Sequence, residues 1–563
     1  MKRKHARNAD PAVAHEAGEP SSPAVAPRAR RASPWSSRPY RLLLILWLAG
    51  NVSQSMHEAT SAWLMASLGA SAFVVALLQS ASSLPTFLLA LPSGALTDLV
   101  DRRRILIAAY AMMSFVGIVL GIVLLAGFAS PGVLLAGALA MGVTFSLRLP
   151  AYSAVVQEVV PREALPRAIV WAGAAMNASR TVGPLAAGTI IAWSGPAYSF
   201  IVTGILMLGV TVALVRWRRP RAPASTLPSE RFIGAMRVGL QFARQTPAVW
   251  AALIRGTAYF LSAVALVALL PVVVRDELEA GPNTFSLLFS LFGFGAVTLA
   301  LTIHIWRSRL SRDGMIVSGI AMQTAAAIAF GVFQNVAVLA VAMFLSGVAW
   351  ISVASALSVT AQLALPAWVR GRGLAAVQMA FMGGGTIGAL LWGQVATTWN
   401  LRIAFAAAAV ATLASLALAR RYPLSSIREE DLTPSSHWRE PEVATPVEHD
   451  EGPVQVMLEY LIDPKDAEAF AALMQESRRS RLRGGATSWA LFRDPANPGR
   501  FVEQWVEESW LELLRHRDRL TVAERELRDA KRAFHIGDGP PAISYLVAED
   551  VARRKRDQGS TTV

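Results

Sequence analysis

From Leu42 to Ala419 the chain alternates apolar stretches of about 20 residues, the length that crosses a bilayer as a helix, with short polar breaks. Twelve stretches meet that length: 42–66, 71–93, 105–126, 132–157, 168–192, 197–215, 249–273, 283–306, 314–333, 336–362, 373–396 and 401–419. The first begins too deep in the chain, and runs too long, for a cleavable signal peptide, and no small-residue site closes it. Before it, residues 1–38 are rich in Ala, Pro, Ser and Arg without apolar period, which reads as a disordered basic tail. Residues 422–452 form a Pro- and acid-rich linker. Residues 453–549 then change period. They predict strand (454–462), helix (465–481), strand (487–493), strand (500–506), helix (510–533) and strand (543–548), and 550–563 make a tail. That βαββαβ order suits a ferredoxin-like domain with its helices on one face of the sheet.

Charge sharpens this picture. The 563 residues are 53% hydrophobic and 16% charged, against about 25% in a soluble protein. Residues 42–419 hold 22 Arg, 10 Asp and Glu and no Lys. A block of this kind excludes a purely soluble enzyme, a disordered scaffold and a nucleic-acid-binding protein, despite the net charge of +14. The loops after stretches 2, 4, 6, 8 and 10 carry 17 arginines, and the opposite loops only Arg275 and Arg402. The positive-inside rule then places both termini in the cytoplasm. The absence of cysteine removes disulfides, thiolate nucleophiles and Cys-ligated metals.

The apolar block also repeats. At an offset of 205 residues Gly142 matches Gly347, Gln157 matches Gln362, Pro161 matches Pro366, Arg167 matches Arg372, and Gly183 and Gly188 match Gly388 and Gly393. The expected fold is an all-α membrane protein of 12 transmembrane helices in two six-helix repeats, plus the α+β domain. The halves are 39–216 and 248–421, and parallel repeats of this kind build alternating-access carriers. In the basic linker 217–247, Phe232, Met236, Leu240 and Ala243 share a helical face suited to the membrane surface.

Polar residues inside membrane spans are costly, so they mark candidate sites. Stretch 1 offers Asn51, Gln54, His57 and Glu58, stretch 4 Arg148, and stretch 5 Asn177 and Arg180. Asn51, Gln54 and Glu58 share one helical face, with His57 on a neighbouring one. At 1.5 Å per residue the two arginines sit near one depth and Glu58 about a turn further out. Two readings stand. Glu58 either exchanges a proton as an arginine pair forms and separates, or it is a static charge partner. In the second half Gln378 is the cavity candidate, while Arg255 and His304 lie near helix ends and snorkel.

The loop after stretch 2 contains Gly94, Asp98, Arg102 and Arg103, and stretch 5 contains Ser179-Arg-Thr-Val-Gly183-Pro184-Leu-Ala-Ala-Gly188. The first run resembles the signature loop of the major facilitator superfamily, with Leu99 and Asp101 departing from its pattern. The second is similar to the antiporter motif of exporter branches, less two glycines. Arg148-Leu-Pro-Ala-Tyr-Ser, Val160-Pro-Arg-Glu-Ala-Leu and Asn177-Ala-Ser-Arg resemble the enterobactin and macrolide exporter branch of transmembrane secretion effectors. The resemblance implies a cytoplasmic latch at Asp98 and Arg102, a kink at Gly183 and Pro184, and export of a siderophore or antibiotic-like molecule by proton antiport. Import, uniport and a bifunctional transporter stay open.

Residues 453–549 resemble the antibiotic-biosynthesis-monooxygenase type of dimeric α+β barrel. A dimerisation or sensing role is expected over catalysis, although Trp489, Trp505, Trp510, His516, His535 and Tyr545 are of the kind that lines an aromatic pocket. No phosphate-binding loop or zinc-spaced cluster occurs. No cofactor and no metal are expected. The expected partners are a small-molecule substrate, protons, the lipid bilayer and a second copy through residues 453–549, without nucleic acid.

Overall fold

The computed structural model describes residues 33–217, 241–366, 368–424, 435, 443–444 and 446–549. Only the backbone is described at 90, 91, 94, 95, 98, 99, 162 and 518. The first half comprises α1 (Arg38–Ser67), α2 (Ala72–Leu99), α3 (Arg102–Leu125), α4 (Pro131–Val159), α5 (Leu165–Ser194) and α6 (Pro196–Arg216). The second comprises α7 (Pro247–Val272), α8 (Pro282–Arg309), α9 (Arg312–Val332), α10 (Val336–Leu363), α11 (Arg370–Thr398), α12 (Leu401–Ala414) and a short α13 (Ala417–Arg421). Ser37, Ser71, Ser130, Ser311, Asn335 and Asn400 cap six of these helices by accepting backbone N–H bonds from the first turn.

Ten of the described helical segments are long and apolar enough to cross a membrane. α1 and α5, each 30 residues long, are not among them. These two carry Asn51, Gln54, Glu58, Asn177 and Arg180. Polar side chains lower their hydropathy, so the helices that fall short on composition are those holding the candidate site.

The repeat seen in the sequence returns in the packing. Pro131, Leu165 and Pro196 open α4, α5 and α6, and lie 205 residues before Val336, Arg370 and Leu401, which open α10, α11 and α12. The helix pairs α1–α5, α2–α4 and α3–α6 recur as α7–α11, α8–α10 and α9–α12. The matched glycines sit where backbones touch. A Cβ at Gly142 would come within 2.3 Å of the Ser82 carbonyl, and one at Gly347 within 1.9 Å of the Phe292 carbonyl. Gly183 meets Ser55 and Val52 of α1, and its counterpart Gly388 meets Leu261 of α7. Small residues at such crossings let membrane helices approach and gain dispersion contacts.

Two seams join the halves, α2 with α11 and α5 with α8. Ser80 and Ser83 bond to Thr386, and the backbone N–H of Phe73 donates to Thr397 at 2.8 Å. Gly188 abuts Ser286, and Gly293 abuts the Arg180 backbone. The Arg275 guanidinium, in the π-helical turn Val273–Glu277 that continues α7, also donates to the Ala66 carbonyl at the end of α1. Most of these contacts lie toward the end of the bundle opposite the Arg-rich loops.

Past α13 the chain forms a four-stranded antiparallel sheet of order β2-β3-β1-β4, from β1 (Val454–Leu461), β2 (Ser488–Arg493), β3 (Arg500–Glu507) and β4 (Ala542–Val547). α14 (Ala467–Gly484) connects β1 to β2. The single helix expected over 510–533 is two, α15 (Trp510–Asp518) and α16 (Val522–Arg532). Thr521 and Glu524 form a capping box that starts a new helix, with Leu520 buried at the break. Glu524 also bonds Ser480 at 2.8 Å, so it is an internal tie rather than part of a solvated face.

Between helices and sheet lies a buried charge cluster. The Glu503 carboxylate accepts from Lys531 Nζ at 3.0 Å, Trp489 Nε1 at 3.1 Å and the Ser477 hydroxyl, with Arg481 Nε 3.8 Å away. Arg481 also stacks over Trp505, 4.0 Å from its centroid. Of the aromatics of the kind that lines a pocket, Trp505 and Trp510 are buried in the core and His516 is buried and bonds Glu507 at 2.7 Å, while Trp489, His535 and Tyr545 are half-buried.

Candidate functional site

The site is built on α1. Its polar face is held inside the first half by the turn spacing that brings residues 51, 54 and 58 together. Asn51 donates to the Trp47 carbonyl at 2.7 Å and accepts from Arg148 Nη2 at 3.2 Å. Gln54 Nε2 donates to Glu58 Oε1 at 2.9 Å. Asn51, Gln54 and Arg148 are all buried, Arg148 completely.

Arg148 sits in an aromatic cage. Its guanidinium lies 4.9 Å from the Trp47 ring centroid, 5.6 Å from Tyr110 and 5.5 Å from Phe145. Trp47 in turn stacks on Tyr152 at 4.1 Å. Ring faces stabilise a desolvated cation by about 2 kcal/mol or more, which offsets part of the cost of a charge at this depth. Nε and Nη1 of Arg148 remain buried without a hydrogen-bond partner. Gly50 makes room for the cage, because a Cβ there would fall 2.4 Å from Arg148 Nη1 and 2.6 Å from the Tyr110 ring. Gly50 and Tyr110 were missed in the sequence. The single tyrosine of α3, in a run that past its opening arginines is apolar but for Ser114, was the available signal.

Glu58 faces a cavity lined from both halves. Gln54, His57, Glu58 and Ser61 of α1 meet Gln79 and Ser82 of α2, and across the seam Pro271 of α7 and Phe285 and Phe289 of α8. About 30 Å³ is open to the centre of a water-sized sphere, room for a water but not for an organic substrate. Glu58 is bonded by Gln54, and neither Arg148 nor Arg180 forms an ion pair with it among the described residues. His57 packs edge-on against Phe200 and also borders this cavity, and both its ring nitrogens are buried without a partner.

Other candidates sit elsewhere. Asn177 bonds its own helix at Gly173, 3.0 Å away. Arg180 is half-buried, and its backbone forms part of the α5–α8 seam. Gln378 is exposed and is not among the cavity residues. Arg255 does not snorkel; it is buried and pairs with Asp313 at 2.6 Å. In the latch loop, the side chains of Gly94 and Asp98 lie outside the described residues. Arg102 pairs with Glu158 of α4 and donates to the Thr97 carbonyl, while Arg103 donates to the carbonyls of Leu214 and Val215. These partners belong to the first half, and the single Arg103 guanidinium, donating through two of its N–H groups to the last carbonyls of α6, complements its negative end. Of the linker face, Phe232, Met236 and Leu240 also fall outside the described residues, whereas Ala243 is buried. No cluster among the described residues is able to hold a metal ion.

Gly183 and Pro184 pack α5 against α1, whereas Gly188 carries the seam, since a Cβ there would fall 2.2 Å from Ser286 Oγ. Gly188→Val is expected to disfavour the closed seam by an overpacking cost of about 1–3 kcal/mol, roughly a 5- to 160-fold shift toward separated halves. Gly173→Val on the same helix meets nothing within 4 Å and serves as control. Spin-label distances across α5 and α8 read the result, and equal distances in both variants would contradict it.

The match to known proteins covers nearly the whole chain. Residues 29–554 match the family described as transmembrane secretion effector. Macrolide efflux protein A of Streptococcus pyogenes is 26% identical over 254 residues, 45% of this chain and 62% of that protein, so less than two thirds of its length is spanned. That of Enterococcus faecalis is 26% identical over 231 residues, 41% of this chain and 71% of that one. Among solved structures, a bacterial homolog of the human lysosomal transporter Spinster, inward-facing and occupied, aligns with a TM-score of 0.57 at 13% identity, covering 70% of this chain and 98% of that one. A POT family transporter in complex with 5-aminolevulinic acid aligns with a TM-score of 0.57 at 12% identity, covering 69% and 97%. These structures share the fold of two packed helical halves. The family match over residues 29–554 identifies the chain as a member of the transmembrane secretion effector family of multi-pass membrane proteins in the major facilitator superfamily.

Proposed function

We propose that this transporter exports a bulky amphipathic small molecule, of the antibiotic or siderophore kind, in exchange for protons. The observation that carries the reading is Glu58, a membrane carboxylate in a cavity lined by both halves. Separation of the α5–α8 and α2–α11 seams would open that cavity to the side opposite the Arg-rich loops. Closing the seams and parting the other end would present it to the opposite side, which is alternating access at one ionisable group. The macrolide efflux proteins at 26% identity favour export. In this reading α1 and α5 also span, making twelve transmembrane helices, and the Arg-rich loops and both termini face the cytoplasm.

The sheet order with its helices on one face supports a ferredoxin-like fold for residues 453–549. Its open face carries Met457, Val502, Val506, Phe492 and Leu546, the last two 51% exposed, which suits pairing with a second copy. The test is accumulation of macrolides and siderophores in a host lacking its own exporters. Lowered accumulation of at least one compound, restored by a protonophore, is expected. Export that persists without a proton gradient would overturn the coupling.

A further inference from the structure

We propose that the C-terminal α+β domain grips the loop before α11 and so restrains the movement of the second half at the Arg-rich end. Trp368 lies two residues before α11, in the α10–α11 loop. The Arg519 guanidinium, from the break between α15 and α16, stacks over its ring at 4.4 Å. Phe242 meets the same ring edge-on at 5.7 Å and lies under Arg483 of α14, 5.6 Å away. Gln241 Nε2 donates to the Ala486 carbonyl at 2.8 Å. Phe242 is itself buried in the core of the second half with Leu365 and Val369. The domain therefore holds the end of the inter-half linker and the α10–α11 loop together, and both pack in the core of the second half.

This placement has a mechanical consequence. α11 is one of the four seam helices, bonded to α2 through Thr386 and Thr397. A continuous helix moves as a lever, so a grip on Trp368, two residues before its start, resists the tilt that changes the gap between halves. The contacts are cation–aromatic and single hydrogen bonds, strong enough to bias an equilibrium and weak enough to release. Ligand binding or pairing at the soluble domain would then reach the carrier through Trp368.

The absence of cysteine makes the test direct, and it needs no transported substrate. Spin labels go on Gly371→Cys and Gly539→Cys, where nothing lies within 4 Å of an added Cβ, to report docking in the full chain in liposomes. A second pair, Val100→Cys with Gly371→Cys, reports the gap between halves. Arg519→Gln is expected to lower the docked-to-undocked ratio about two- to fivefold, the loss of one cation–π contact, and to broaden the gap distribution with it. Trp368→Ala should do the same, and Arg519→Lys, which keeps charge but not the planar stack, should fall between. An unchanged docking distance in both variants would overturn the grip. Lost docking with an unchanged gap would overturn the restraint.

Discussion

Glu58→Gln is expected to abolish coupled export while leaving the protein inserted and folded. The substitution keeps the size of the side chain and its bond to Gln54, and removes only the titratable charge. A carrier coupled through this group loses its means of taking up and releasing a proton in alternating states. Even a coupling of about 1.4 kcal/mol is a tenfold effect, so accumulation should rise to that of cells without the transporter. Counterflow of substrate down its own gradient should persist, because the cavity walls are intact. Matched expression and unchanged thermal unfolding complete the measurement. Gradient-driven export equal to the parent's would make Glu58 a static partner of its neighbours.

The largest effect on stability is expected at Glu503→Ala. The change leaves Lys531 and Arg481 buried beside an emptied site, and breaking a buried pair in this way costs about 3–5 kcal/mol. Hydrogen exchange of β1 and β3 in the full chain should accelerate by roughly 150- to 5000-fold. A double variant, Glu503→Met with Lys531→Met, should recover much of the loss, since apolar replacement of a buried pair is often tolerated. A single variant that exchanges within about 0.5 kcal/mol of the parent would remove the cluster as a stability determinant. The same carboxylate sets an acid limit. Burial pushes Glu503 up, but Lys531 and Arg481, with bonds from Ser477 and Trp489, outweigh it and hold the group near about 2, below its ordinary 4.5. Its contribution is therefore complete above pH 4.5 and drains away as pH falls toward 2. Loosening of the α+β domain should begin in that window while the membrane helices keep their helicity.

Much of the helical block was legible because burial in lipid demands the same thing at every turn. Apolar runs and an offset of 205 residues are local or periodic signals, and the offset holds at the starts of α4–α6 and α10–α12. The split between α15 and α16 was not legible from the charge pattern, because Glu524 serves as a cap and an internal tie at once. Arg255 shows the limit of depth arguments, since Asp313, 58 residues on in α9, turned an expected surface cation into a buried pair.

By itself the sequence determined which segments are helical, how the two halves correspond, and which polar residues enter the apolar block. Those properties follow from composition and period, which act residue by residue. Only the tertiary structure decided that Arg148 would be caged by Trp47, Tyr110 and Phe145, that Gly50 would make room for it, and that Glu58 would open onto the boundary between halves. These are meetings of side chains from helices far apart in the chain, set by rotation and crossing of packed helices. A helical period states which residues share a face, but not what that face will touch.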